Sequence, residues 1–132
     1  MKTIEQLTFE KACKVEKLDA KKIILAYTNL AKLFPGRDRK SIIAEPKVRI
    51  MIKAANRLAN NGKEWIPDFD NYDQLKYEPY FILGSSGFRF GDYVGWNADS
   101  GVGSRLCFIN YNTMKLMVEN KHYMKVYNEY AL

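Results

Sequence analysis

The stretch that decides the predicted fold is residues 77–108, which read YEPYFILGSSGFRFGDYVGWNADSGVGSRLCF. Aromatic residues and glycines are concentrated here, and ten of the 18 Phe, Tyr and Trp residues of the chain fall between Trp65 and Trp96. Aromatic side chains suit the pleated, half-buried surface of a sheet, and glycines mark the turns between strands. The stretch therefore predicts a small antiparallel sheet, against which we expect every helix to pack.

We expect three strands in this sheet. The first covers residues 77–83, the second residues 88–96 and the third residues 104–108. Alternation along the second strand places Asp92 on the face that carries its apolar side chains. A β-bulge near Gly91 would turn this carboxylate outward, and glycine is a residue that bulges often use.

Helices are expected on both sides of this stretch. Apolar residues recur at i, i+3 and i+4 in the first half of the chain, which predicts helices at residues 9–17, 20–34 and 46–60. Pro46 lacks a backbone N–H, so it either begins the third helix, after a separate turn at residues 38–43, or kinks it. One further helix is predicted after the sheet, over residues 111–130.

Capping residues and inner faces follow from the same pattern. Side chains that accept hydrogen bonds from a helix N-terminus are expected at Thr3 or Thr8, Asp19 and Asn110. The inner face of the second helix is predicted to consist of Ile23, Ile24, Tyr27, Leu30, Ala31 and Phe34. The inner face of the third is predicted to consist of Val48, Met51, Ile52, Ala55, Leu58 and Ala59.

Length and composition are those of one globular domain, with 132 residues of which 47% are hydrophobic and 27% charged. We therefore assign residues 1–132 to a single α+β domain, made of N-terminal helices, a three-stranded antiparallel sheet and a C-terminal helix. No apolar run approaches the roughly 20 residues that cross a bilayer, and residues 1–6 show no apolar signal segment. We expect a cytoplasmic protein that does not enter a membrane.

The two cysteines, Cys13 and Cys107, are expected to be free thiols, because a cytosolic setting keeps thiols reduced. The sequence has no CxxC and no cluster of Cys and His, which argues against a structural zinc site.

The net charge of +6 is concentrated in the first half of the chain. Residues 1–64 carry 15 Lys or Arg and 7 Asp or Glu, whereas residues 65–132 carry 6 and 8. Spacing by four places Arg49, Lys53 and Arg57 in one row on a helix face, which we call the basic stripe. Such a row suits contacts with phosphates, and it is also the ordinary solvent face of an amphipathic helix. The candidate nucleic-acid-binding residues are Arg37, Arg39, Lys40, Arg49, Lys53 and Arg57.

Three aspartates, Asp68, Asp70 and Asp73, form an acidic cluster before the sheet. A calcium-binding EF-hand loop that starts at Asp68 would require Gly at its sixth position and Glu at its twelfth, and the chain has Asp73 and Pro79 there. Asp and Asn also bond their own backbone in turns, and we favour this interpretation over a metal site.

Catalytic groups are sparse. His122 is the only histidine, and nothing in the sequence places it near a nucleophile such as Ser104 or Cys107. Residues 101–104 and Arg105 could surround an anion, but they lack the spacing of the Rossmann or P-loop motifs and better fit a hairpin loop. We expect no enzyme activity, no catalytic residue, no metal and no cofactor.

Several segments together carry a resemblance to a known family. They are residues 44–59 followed by Asn60-Asn61-Gly62, and the segments WIPD (65–68), KYEPYF (76–81), SGF (86–88) and GSRLCF (103–108). In this order they resemble a family of small uncharacterised proteins from gut Bacteroidales bacteria and their tailed phages. The resemblance covers about residues 9–127, departs from the family at Pro46, and implies a phage or mobile-element setting.

Three functions are compatible with these observations. We favour a non-enzymatic protein of a phage or mobile element that acts through protein–protein contacts, as a virion accessory or host-interaction factor, in the host cytoplasm or the virion. Such a protein is expected to expose an apolar patch. The alternative is a nucleic-acid-binding accessory protein, whose basic stripe could be replaced by alanine without unfolding. A small enzyme or ligand-binding protein would require Asp68, Asp70, Arg105 or His122 to converge in one pocket.

Overall fold

A computed structural model describes residues 4–68, 70–71, 73–84, 87–96 and 106–132. Along the two strands it describes side chains at residues 76–79, 81 and 91. In chain order the elements are a 3-10 turn at Ile4–Gln6, α1 (Phe9–Glu16), α2 (Ala20–Ala31), α3 (Gly36–Ala59), β1 (Lys76–Gly84), β2 (Gly87–Trp96), α4 (Tyr111–Val118) and α5 (Lys121–Ala131).

The predicted three-stranded α+β sheet is wrong. The described residues form five α-helices and one antiparallel hairpin of two strands, so the fold is mainly helical. In place of a third strand, a single antiparallel bridge joins Tyr77 to Phe108, and residues 104 and 105 of the predicted strand lie outside the described part of the chain.

The side chain of Asn56 bonds the edge of this segment that faces away from β1. The Nδ2 group of Asn56 donates to the carbonyl of Cys107 at 2.9 Å, and its Oδ1 accepts from the N–H of Ile109 at 3.0 Å. Phe108 turns its own N–H and carbonyl the other way, toward Tyr77. The segment is therefore held between β1 and α3, and a helix side chain takes the place of a neighbouring strand.

The central element is α3, not the sheet. Helices α1, α2, α4 and α5 all contact it, and the hairpin makes its main helix contacts with α4 and α5. The expectation that every helix packs against the sheet is therefore wrong. Much of the predicted inner face of α3 is confirmed, since Val48, Met51, Ile52 and Ala55 are buried. Ala54 and Ala55 add no bulk, which lets neighbouring helices approach closely.

Local predictions that depend on neighbouring residues are confirmed. Thr8, Asp19 and Asn110 each accept a hydrogen bond from the N–H three residues on, at 3.2, 3.1 and 2.8 Å. In the hairpin Tyr80 pairs with Asp92 and Phe81 with Phe90, so Gly91 is the extra residue of a bulge. Thr3 lies outside the described residues.

Of the two alternatives for Pro46, a helix that begins there after a separate turn is wrong, because α3 runs through this residue without interruption. A proline inside a helix removes one hydrogen bond, here the bond to the carbonyl of Ile42, and disfavours the helix by about 3 kcal/mol relative to alanine. Pro46 is buried, so the packing of its ring against the core offsets part of this cost.

The predicted helix of residues 111–130 is two helices, α4 and α5, that meet at the buried Asn120. The Oδ1 atom of Asn120 caps α5 by accepting from the N–H groups two and three residues on, at 2.9 and 3.2 Å. Its Nδ2 group donates to the carbonyls of Ile4 and Leu7, at 3.0 and 2.8 Å. One amide therefore begins α5 and also holds the N-terminal turn against it.

Aromatic contacts attach the hairpin to α5. The rings of Phe81 and Tyr127 lie 4.6 Å apart between centroids, and Tyr123 and Tyr130 flank Tyr127 at 6.0 and 6.2 Å. Tyr123 is fully enclosed and also meets Phe108 edge-on. This row of rings provides an apolar contact between two elements that are distant in sequence.

Replacing Asn120 tests its double role. Asn120→Ala removes four hydrogen bonds and leaves the carbonyl of Leu7 and the N–H of Tyr123 without this partner, and we expect the free energy of unfolding to fall by about 2–4 kcal/mol in urea denaturation. Asn120→Ser retains a capping oxygen and is expected to lose clearly less. Equal losses for the two variants, or a loss below about 0.5 kcal/mol for alanine, would contradict this role.

Candidate functional site

Arg57 of the predicted basic stripe is a structural residue. Its Nε and Nη2 atoms donate to the two carboxylate oxygens of Glu16 on α1, at 2.8 and 3.2 Å. The Glu16 side chain is only 3% exposed, so this pair joins α1 to α3 at the edge of the core. Hydrogen bonding to Glu16 raises the pKa of the Arg57 guanidinium above its usual value.

The other two residues of the stripe are also paired. Lys53 lies 2.9 Å from a carboxylate oxygen of Glu64 and 3.9 Å from one of Glu16. Arg49 lies 3.2 Å from Glu45, one helical turn earlier on α3. Each cation of the stripe therefore has an acidic neighbour, which lowers the positive potential that a phosphate would meet.

The six predicted nucleic-acid-binding residues do not form one site. Arg49 and Lys53 border a groove of about 200 Å³ with Trp65 and Ile66. Nearer the start of α3, Arg37 and Lys40 border a different cleft, closed by the end of α5. Position 40 lies about 14 Å from position 49 along the helix axis. The Nε atom of Arg39 donates to the carbonyl of Phe34 at 3.1 Å.

The acidic cluster shows turn chemistry. Oδ1 of Asp68 accepts from the N–H of Asp70 at 3.0 Å, and Oδ1 of Asn71 accepts from the N–H of Asp73 at 2.9 Å. The cation in this loop is the buried ammonium of Lys76, which donates to the carbonyls of Asp68 and Asn71 at 2.7 and 3.0 Å. No group of three acidic, His or Cys side chains within the described ranges is placed to hold a metal ion.

The two thiols are buried, and the histidine lies at the surface. Cys13 and Cys107 are free and buried, as predicted, and burial raises the pKa of both. His122 is exposed at the start of α5. Ser104 and Arg105, the other candidates for catalysis or anion binding, lie outside the described residues, as do residues 101–103.

The surface that the sequence analysis missed is on α2. Of its predicted inner face only Ala31 is buried, while Leu30 and Phe34 are 43% and 44% exposed. Leu25 and Leu33 are 64% and 80% exposed. The signal was present in the sequence, because apolar residues on this helix extend beyond the single stripe that one packed face requires.

Exposed apolar side chains are concentrated in this part of the sequence. Nine large hydrophobic residues are exposed in the described part of the chain, and five of them fall within residues 18–34. We call these five the α2 apolar surface: Leu18, Leu25, Leu30, Leu33 and Phe34. Beside it a shallow groove of about 440 Å³ is lined by Ala20, Ile24, Leu25 and Thr28, with Glu10 and Lys21 at its edges.

Comparison with known proteins gave no match to a family model, to a curated protein or to a solved structure. The family resemblance stays a prediction. Within the described residues, no helix is both long enough and apolar enough to cross a bilayer.

Arg57 and Arg49 provide a matched test of the stripe. Arg57→Ala leaves the enclosed carboxylate of Glu16 with one distant cation, and we expect the Tm to fall by about 5 °C or more. Arg49→Ala removes an exposed pair and is expected to change the Tm by about 1 °C. Equal Tm values for the two variants would show that the stripe is a free cationic surface after all.

The buried thiols give a test that depends on pH. Burial raises the pKa of Cys107 from 9.0 to about 12, so between these pH values the unfolded chain binds fewer protons than the folded chain. The free energy of unfolding is therefore expected to fall as the pH rises from about 9 to 12. Cys107→Ala should make this slope shallower in urea titrations at several pH values. An unchanged slope would show that Cys107 is open to solvent.

Proposed function

We propose that this protein is a non-enzymatic binding protein of a phage or mobile element, and that it acts by contacting another protein through the α2 apolar surface. The observation that carries the proposal is the exposure of Leu25 on α2 and of Leu33 in the turn that follows it, although α2 is otherwise attached to the core. Clustered apolar exposure is characteristic of interaction sites, because a soluble protein gains nothing from leaving such a surface in water.

The free energy of covering these leucines supports a role in binding. Full burial of one leucine side chain contributes about 1.5–3 kcal/mol, so covering the exposed parts of Leu25 and Leu33 would contribute about 2–4 kcal/mol to the free energy of binding. The helix beneath them is already fixed, since Ile23 and Ile24 pack on the core cluster and Ala31 is buried. A preorganised surface loses little conformational entropy on binding.

The setting in this proposal comes from the family resemblance. A virion accessory and a host-interaction factor both need a docking surface and no catalytic centre. Either would place the protein in the host cytoplasm or the virion.

A nucleic-acid partner has weaker support. The residues proposed for it lie in two separate places, and all three members of the basic stripe have carboxylate neighbours. Phosphate binding would have to compete with these ion pairs, one of which also joins α1 to α3. The nucleic-acid hypothesis is therefore kept as an outcome of the test below.

Site-specific photo-cross-linking tests the proposal. A photoreactive amino acid at position 25 is expected to form a covalent adduct with one protein in the producing cell, whereas the same probe at the exposed position 121 of α5 is expected to form none. The captured protein, once identified and purified, should bind the wild-type chain in calorimetry. Leu25→Asp should weaken that binding at least about tenfold, and Lys121→Asp should leave it unchanged.

Two results would overturn the proposal. One is an adduct with nucleic acid at position 25, combined with tight binding to a random duplex that weakens steeply with salt. The other is a purified candidate whose affinity is the same for wild type and Leu25→Asp.

A further inference from the structure

Apart from Asp19, whose carboxylate caps α2, the charged residues on α2 and in the turn after it are all positive. Residues 20–34 contain Lys21, Lys22 and Lys32 and no Asp or Glu. All three lysines are exposed, and none forms an ion pair with a residue that the structure describes. They differ in this respect from the cations of the basic stripe on α3, each of which lies within 3.2 Å of a carboxylate.

Helical geometry places these charges next to the exposed leucines. Lys21 and Lys22 precede Leu25 by four and three residues, so they lie beside it on the previous turn. Lys32 follows Leu25 by seven residues, two turns further along the same side. A protein that covers Leu25 therefore comes close to Lys21 and Lys22, and one that extends about 10 Å along the helix also reaches Lys32.

Three of the residues that line the groove beside Leu25 lie in one row along α2. Ala20, Ile24 and Thr28 are spaced by four, so they follow the row along which helices interdigitate. The small side chains at both ends of this row let a second helix approach closely. Glu10, at the edge of the groove, is its one acidic lining residue.

We propose that the partner presents an amphipathic helix with an acidic rim, which lies in this groove with its apolar face on Ile24 and Leu25 and its carboxylates near the three lysines. This inference rests on the proposed function and adds the chemistry of the partner. A second copy of this chain fits poorly, because two α2 helices placed face to face would bring lysines against lysines.

Two synthetic helical peptides test the inference. Both carry leucines at i, i+4, i+7 and i+11, and one has glutamates and the other lysines on the flanks. In fluorescence anisotropy with the full-length protein at low salt, the glutamate peptide is expected to bind at least about tenfold more tightly than the lysine peptide. The ratio should shrink as salt screens the exposed charges.

Charge reversal provides the matched control. The variant K21E/K22E/K32E should prefer the lysine peptide. It should keep its fold because all three positions are exposed and glutamates at 21 and 22 are favourable in the first turn of α2, which offsets the unfavourable glutamate at its C-cap. The variant K63E/K121E/K125E changes the net charge by the same amount at exposed positions on other elements and should keep the wild-type preference. Circular dichroism confirms the fold of both.

The possible outcomes distinguish the apolar docking surface from the acidic partner. Equal binding of both peptides, lost in Leu25→Asp, would overturn the acidic partner and leave the apolar docking surface standing. No binding of the glutamate peptide, with binding to vesicles of anionic phospholipid, would identify a membrane surface instead. A dimer in sedimentation that Leu25→Asp dissociates would identify a second copy. Each of these results contradicts the proposed partner.

Discussion

The buried amide of Asn56 is the contact on which the arrangement of the two halves depends. It accepts from Ile109 and donates to Cys107, more than fifty residues away, so it fixes the segment after residue 106 near the C-terminal end of α3. The opposite edge of this segment bonds Tyr77, which attaches the base of the hairpin to the helical core. With α1, α4 and α5 also packed on α3, the outer side of α2 is left facing solvent.

Features that depend on adjacent residues could be predicted from the sequence, and features that depend on distant partners could not. The caps at Thr8, Asp19 and Asn110 and the bulge at Gly91 follow from local chemistry. Asn56 reads as an ordinary polar residue, because its partners come into range only in the folded chain. The position of the segment after residue 106 depends on that contact, since Asn56 bonds the edge that faces α3 while Phe108 bridges to Tyr77 on the other edge.

The candidate site lies on α2 and not on the predicted basic stripe of α3, for a similar reason. A count of charges selects Arg57, and only the structure shows that Glu16, 41 residues earlier in the chain, occupies its guanidinium. Lys21 and Lys22 are not among the predicted binding residues, because the apolar pattern of their helix predicts that it packs into the core. Periodicity shows which side of a helix is more apolar, but it does not show whether another element covers the remaining apolar residues.

The outer side of α2 is exposed to solvent in the free protein, and hydroxyl-radical footprinting measures this exposure directly. Three leucines in one chain share their intrinsic reactivity, while Leu25 and Leu33 are 64% and 80% exposed and Leu7 is 1% exposed. We expect rapid oxidation of Leu25 and Leu33 in the dilute protein, and almost no oxidation of Leu7. Slow oxidation at all three positions would contradict it, because α2 would then already be covered.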